Sequence, residues 1–193
     1  MIGVLVSGEG TNLQALLDAG LPISAVASNT AGARALARAR AARVPSAVFE
    51  LADYERRLDR DAAMADWLAE RSVALVVCAG YMHLLTPDFL RRFPVINVHP
   101  SLLPAFPGVH PIEDAVAAGV GETGVTIHYV DEGVDTGPII AQEHVAVLSN
   151  DTTATLRARI QAVEHRLLPE VTRLLVTGAL GSPLPMATPV NSG

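Results

Sequence analysis

The stretch Ile2-Gly3-Val4-Leu5-Val6-Ser7-Gly8-Glu9-Gly10-Thr11-Asn12 decides the fold. It opens on a near-continuous apolar run, the pattern of a strand buried on both faces. Two glycines follow, and Asn12–Ala19 then has helical spacing. Strand, glycine turn and helix together begin a βαβ unit. Apolar runs at Ile23–Ser28, Ala47–Phe49, Leu75–Ala79 and Val95–Val98 predict four more strands. Helical segments at Ala31–Ala42, Tyr54–Arg71 and Pro87–Arg92 separate them. Gly124–Val130 and Ile139–Val147 are joined only by a loop, which predicts an antiparallel hairpin at one sheet edge. A long C-terminal helix is expected over Thr153–Thr177, capped by Asp151 or Thr152. The order predicts a doubly wound α/β domain with a mostly parallel sheet. The domain is expected over residues 1–177, and a mostly disordered tail over 178–193.

Composition narrows the function classes. The chain has 193 residues, 50% of them hydrophobic and 18% charged, which suits one globular domain and excludes a disordered chain. A net charge of -6 argues against a general nucleic-acid surface. All 14 basic residues are arginines, so no Schiff-base lysine and no Walker lysine is available. The single cysteine, Cys78, excludes an intramolecular disulfide and a zinc ribbon. No apolar run approaches the about 18 residues that cross a membrane, and Met1–Val6 is too short for a signal segment. A cytoplasmic location is expected, with no membrane and no nucleic-acid partner.

Three loops carry candidate chemistry. After the first strand, Gly8 and Gly10 let the backbone approach a ligand, and a helix N-terminus offers free N–H groups to an anion. A phosphate cradle and a plain tight turn capped by Thr11 or Asn12 both fit this stretch. A dinucleotide fits less well: Leu13 stands where the third fingerprint glycine would be, and Ser28-Asn29 supplies no acid for a ribose hydroxyl.

The second loop follows the fifth strand and reads Asn97-Val98-His99-Pro100-Ser101-Leu102-Leu103-Pro104. Strand alternation puts Asn97 and His99 on one side, at the carboxyl end where open α/β sheets bind ligands. An amide beside an imidazole suits a developing oxyanion. A capping asparagine and a satisfied, partly buried histidine fit the same residues. Ser101 lacks the nucleophile-elbow context. His110 has no second ligand at a regular spacing, so no metal is expected.

The third loop, Asp131-Glu132-Gly133-Val134-Asp135-Thr136-Gly137-Pro138, lacks EF-hand spacing. It reads either as an acidic surface turn or as a loop that brings Asp135 to Asn97 and His99. A carboxylate there is expected to raise the pKa of the imidazole.

Asn97-x-His99-Pro100-Ser101-Leu102-Leu103-Pro104 followed by Asp135-Thr136-Gly137-Pro138-Ile139 resembles the signature of the folate-dependent formyltransferases. Ser7-Gly8-x-Gly10-Thr11-Asn12, Ala79-Gly80-Tyr81-Met82, Phe106-Pro107-Gly108-Val109-His110 and Glu164-His165 extend the resemblance from about Ile2 to Val176. It implies a Rossmann-like formyltransferase fold. The implied reaction is formyl transfer from 10-formyltetrahydrofolate, as cosubstrate, to the amine of phosphoribosylglycinamide in purine biosynthesis, without metal. Asn97, His99 and Asp135 match the catalytic trio. Gly10, Thr11 and Asn12 match the loop holding the ribosyl phosphate, and Glu164 an acid at the glycinamide substrate. Met82, His83, Leu84 and Leu85, with the backbone of Asp131, Glu132, Gly133, Val134 and Asp135, match the folate pocket. Arg60 matches a basic residue on the folate side, with Arg57 as its rival. The resemblance also implies a cis Leu103–Pro104 bond and leaves a homodimer open. His83 stands where the family usually has Arg or Lys, and Ala105 where it often has Lys.

Three other readings compete. A formyltetrahydrofolate hydrolase usually carries an added N-terminal domain, whereas Met1 here adjoins the first strand. Transfer to initiator tRNA usually needs a C-terminal domain and a basic surface. A non-catalytic nucleotide-binding module would explain the glycine turn but not the Asn97, His99 and Asp135 set.

Overall fold

The structure, a computed structural model, describes residues 1–180. The elements are β1 (Ile2–Val6), α1 (Thr11–Asp18), β2 (Ile23–Ser28), α2 (Arg34–Ala41) and β3 (Ser46–Val48). A 3₁₀ turn at Leu51–Asp53 leads into α3 (Arg57–Ala69), β4 (Leu75–Cys78), α4 (Pro87–Arg92) and β5 (Val95–His99). Then come α5 (Pro111–Ala118), β6 (Glu122–Tyr129), β7 (Ile139–Ala146) and α6 (Thr153–Val176).

The seven strands form one sheet in the order β3-β2-β1-β4-β5-β6-β7. The pairs from β3 to β5 are parallel, and β6 and β7 are antiparallel additions. This is the doubly wound architecture with an antiparallel edge that the apolar runs predict. The strand order reverses between β1 and β4, so the connections leaving these strands diverge and open a crevice at their carboxyl ends. Ser7 N–H donates to the Gly80 carbonyl across that switch point at 3.1 Å.

Alternation along the strands feeds two cores. Ile2, Val4 and Val6 face Leu13 and Leu16 of α1, Ala35 and Ala39 of α2, Ile112 of α5 and Ile160 and Leu168 of α6. Leu5, Val76 and Val95 face Met64 and Leu68 of α3 and Phe89 of α4. Both layers exclude water from the central strands, which is why β1 and β4 read Ile-Gly-Val-Leu-Val and Leu-Val-Val-Cys without a charged or hydroxyl side chain.

The largest boundary differences from the sequence reading are two helix starts. α2 and α3 begin three residues later than expected, at Arg34 and Arg57, because Thr30–Ala33 and the 3₁₀ turn take up the preceding chain. Helix α5 lies in a stretch that the sequence singled out only for its motifs. Its signals are Pro111 at the first turn, Glu113 and Asp114 beside it, and Gly119 in a left-handed C-cap. The cap of α6 is Thr152, which exchanges hydrogen bonds with Thr155. Gly178 N–H and Ala179 N–H close the end of α6 on the carbonyls of Leu175 and Leu174. The expected disordered tail otherwise falls on residues 181–193, outside the described residues.

Candidate active site

Strand register assembles the centre of the site. Asn97 and His99 leave β5 on one side, opposite His128 and Thr126 of β6 respectively. Asp135 comes from the β6–β7 loop, whose backbone holds it at a positive φ of 55°. Its Oδ2 lies 3.3 Å from His99 Nδ1 and accepts the Gly108 N–H at 2.8 Å. Its Oδ1 lies 3.5 Å from both Asn97 Nδ2 and His128 Nε2. The three residues of the expected trio therefore converge.

The loop that carries Asp135 is built tightly. Asp131 Oδ1 accepts from Gly133 N–H at 3.1 Å and from the Thr136 hydroxyl at 2.7 Å. A side chain on Gly133 would collide with Thr136, and one on Gly137 with the Tyr129 carbonyl.

His128 was not singled out by sequence reasoning. The available signal was polar residues at period two, Thr126 and His128, in an otherwise apolar strand. His128 Nδ1 lies 2.8 Å from the Tyr129 carbonyl, so it carries the proton and leaves Nε2 as an acceptor. Nε2 then takes one amide hydrogen of Asn97 at 3.2 Å. The other amide hydrogen has only the 3.5 Å contact to Asp135 and is the one left for a ligand oxygen.

His99 is 3% exposed. Its Nε2 meets the Phe106 carbonyl at 2.8 Å while Nδ1 faces Asp135. Burial pulls its pKa below the ordinary value, against the Phe106 carbonyl and the Asp135 carboxylate, which pull it up; His128 adds to the lowering. The carboxylate raises it as expected, but desolvation outweighs that rise. Asp135 itself is held below the usual carboxylate range despite its partial burial, by its contact with His128, the Gly108 N–H and the His99 ring beside it.

The site continues into a cleft of about 580 Å³ lined by Gly8, Gly10 and Thr11 at one end and Asn97, His99 and Asp135 at the other. Asn12 and Glu164 lie along it, and Asn12 Nδ2 donates to Glu164 Oε2 at 3.2 Å. Burial pushes Glu164 up to about 7. Asn12 Oδ1 and the Tyr81 hydroxyl are buried without a partner among the described residues, and both residues line the cleft. Polar atoms left so are expected to meet a polar ligand. Gly10 caps α1 in a left-handed conformation with φ 72°, and a Cβ there would sit 2.6 Å from Ala35 Cβ. Its lack of a side chain is thus required by packing against α2.

A second, smaller cavity of about 90 Å³ adjoins the first behind Asn97. His83, Leu84, Leu85, Asp131, Gly133 and Val134 line it. Met82 lines the larger cleft, and Glu132 is exposed and lines neither. Arg60, expected on the folate side, is fully buried and also lines neither cavity, while Arg57 is exposed. The Arg60 guanidinium instead grips Asp61 and reaches the cavity only through His83.

Ser101 is buried, with its hydroxyl on the Ala105 carbonyl, and His110 is the exposed N-cap of α5. The Leu103–Pro104 bond is cis. Among the described residues, no three His, Cys, Asp or Glu side chains converge as a metal-ligand set would.

The sheet order and this site define the class: the chain belongs to the formyl transferase family, whose pattern matches residues 1–172. Over 187 residues it is 41% identical to the phosphoribosylglycinamide formyltransferase of Haemophilus influenzae, covering 93% of this chain and 88% of that protein. It is also 43% identical, over 187 aligned residues, to the trifunctional purine biosynthetic protein adenosine-3 of Chironomus tentans, covering 92% of this chain but only 14% of that one. Glycinamide ribonucleotide transformylase 1 from Symbiobacterium toebii superposes with a TM-score of 0.89 at 47% identity, over 92% of this chain and 87% of that one.

Proposed function

We propose that this chain transfers the formyl group of 10-formyltetrahydrofolate to the amine of phosphoribosylglycinamide. The observation that carries this reading is the single cleft that joins the Gly8–Asn12 turn to Asn97, His99 and Asp135. A phosphate held at the N-terminus of α1 places the rest of the substrate along Glu164 toward the trio. The folate ring system takes the smaller cavity, between Leu84, Leu85 and Val134. The cytoplasm is the compartment we assign. The catalytic domain is assigned to residues 1–177.

The chemistry follows from the donors. The substrate amine attacks the formyl carbon, a C–N bond forms, and negative charge develops on the formyl oxygen. The free amide hydrogen of Asn97 stabilises that charge where it appears, and the His99 ring, held by the Phe106 carbonyl and Asp135, lies beside it. Asp135 orients His99 and accepts the amine proton. The tetrahedral intermediate then collapses, the bond to the folate nitrogen breaks, and the proton is delivered to that nitrogen. No covalent enzyme intermediate is needed.

Incubating the protein with 10-formyltetrahydrofolate, with and without phosphoribosylglycinamide, tests the reading. Deformylation of the folate that depends on the amine, with formylated product, is expected. Deformylation at equal rate without the amine would identify a hydrolase instead. Light scattering on the same preparation decides between monomer and homodimer.

A further inference from the structure

Two charged residues have no part in the chemistry above, yet they are among the most buried in the chain. Arg60 and Asp61 are both 0% exposed. Arg60 Nε and Nη2 donate to Asp61 Oδ1 at 2.8 and 2.6 Å. Asp61 Oδ2 accepts the backbone N–H of Thr86 at 2.8 Å and so anchors the segment that leads into α4. The remaining guanidinium nitrogen, Nη1, stands 2.5 Å from His83 Nδ1. An isolated buried pair of this kind adds little stability over apolar residues, so its retention calls for a positional reason.

The contact with His83 supplies one. A guanidinium only donates, so Nδ1 must accept, and the single ring proton of the neutral imidazole is then on Nε2. His83 lines both cavities and packs edge-on against Tyr81, with ring centroids 6.0 Å apart. We propose that Arg60, locked by Asp61, is a positioning residue that fixes His83 as the neutral Nε2–H tautomer, a hydrogen-bond donor for an acceptor oxygen of the formyl-folate. The arrangement sets an uncharged donor on the folate side of the site. It rests on the proposed function only for the identity of the ligand.

The surroundings agree. Burial and the Arg60 charge lower the pKa of His83, and Asp61 opposes them weakly. Protonation would put an N–H against the Arg60 N–H, with no acceptor between. Cys78, His128, Asp131 and Asp135 are the other titratable groups around the smaller cavity besides Tyr81.

Nitrogen NMR of the full chain labelled at histidine reads the tautomer directly. His83 is expected to keep Nδ1 unprotonated and Nε2 protonated from pH 6 to 8. A protonated Nδ1, or a charged ring at pH 7, overturns the proposal. In the double variant Arg60→Met/Asp61→Leu, His83 is expected to become a tautomer mixture and titrate near its ordinary value. An unchanged single tautomer there overturns the role of Arg60. Should that variant fail to fold, His83→Phe carries the test. It is expected to raise the KM for 10-formyltetrahydrofolate about tenfold, the loss of one hydrogen bond, with kcat and the other KM within about twofold. His83→Gln, which keeps a donor, is expected to restore most of the difference. An unchanged folate KM in His83→Phe overturns the donor role. Wild-type protein with no formyl-transfer activity would defeat the proposed function, and the NMR result would still decide the tautomer.

Discussion

Asp135 meets His99 at 3.3 Å across the antiparallel edge of the sheet, from a loop that enters at a positive φ. The same carboxylate also touches Asn97, His128 and the Gly108 N–H, so it ties β5, β6 and the loop after β5 into one cluster.

The first expectation concerns turnover. Removing one donor to a developing oxyanion typically costs about 2.7–4 kcal/mol, or roughly a hundred- to a thousandfold in rate. Asn97→Ala is expected to lower kcat by that factor with KM little changed, because the ground-state formyl oxygen carries less charge. Asp135→Asn is expected to act likewise. The double variant should lose less than the sum, since both act on one event. Near-wild-type turnover in either single variant would remove that residue from the mechanism.

The second concerns the His99 titration. Its folded pKa lies below the ordinary value, so its contribution to stability is present above the unfolded pKa and lost as pH falls through the folded one. Asp135→Asn removes one of the two influences that raise it and is expected to lower it further. An NMR titration of His99 in both proteins measures this, and a rise in the variant would contradict the account.

Glu164 gives the opposite slope. Burial raises its folded pKa from 4.5 to about 7, so the chain folds with the neutral acid. Its contribution is fully present below the unfolded pKa and disappears as pH rises to about 7. The linkage is on the order of 3 kcal/mol. Glu164→Gln is therefore expected to gain on the wild type between pH 5 and pH 8 in urea denaturation. Parallel pH profiles for the two proteins would show that Glu164 is not buried as described. The KM for phosphoribosylglycinamide should lose its dependence on pH near 7 in the same variant.

Gly10 and Thr11 separate packing from binding. Gly10→Ala introduces a Cβ at φ 72°, 2.6 Å from Ala35 Cβ, so α1 or α2 must shift. A loss of about 1–3 kcal/mol in stability is expected, read as a lower Tm. Thr11→Val keeps the backbone and removes only the hydroxyl. It is expected to raise the KM for phosphoribosylglycinamide at unchanged Tm and unchanged folate KM. If the Tm falls as far as in Gly10→Ala, the hydroxyl is structural.

Thr126 holds the loop that follows His99. Its hydroxyl donates to the Ser101 carbonyl and accepts from the Leu103 N–H and from Gln142 Nε2, at 2.7, 3.1 and 2.9 Å. Thr126→Val leaves those partners short of a bond in a buried place, at about 1–3 kcal/mol for each group left unsatisfied. A Tm drop of several degrees is expected, together with lower kcat as the segment after His99 loosens. An unchanged Tm would mean that water replaces the hydroxyl.

Periodicity alone determined the α/β class here. Runs such as Ile2–Val6 and Leu75–Cys78 are apolar on both faces, which only a covered parallel strand tolerates, and the glycine turn after Val6 reads as the start of a crossover. Asn97 and His99 were legible as neighbours because two residues on a strand share a face. Helix α5 was not, since eight residues carry a weak periodic signal. Only tertiary structure placed His128 opposite Asn97, because strand register, not spacing, makes that pair. It likewise brought Asn12 to Glu164 across 152 positions by packing α1 against α6. The direction of the His99 pKa shift was decided there too: a sequence shows that a carboxylate can be near, but not how much water has been removed around the ring. Arg60 shows the same limit: the resemblance sets it on the folate side, and only packing puts it, fully buried, against His83.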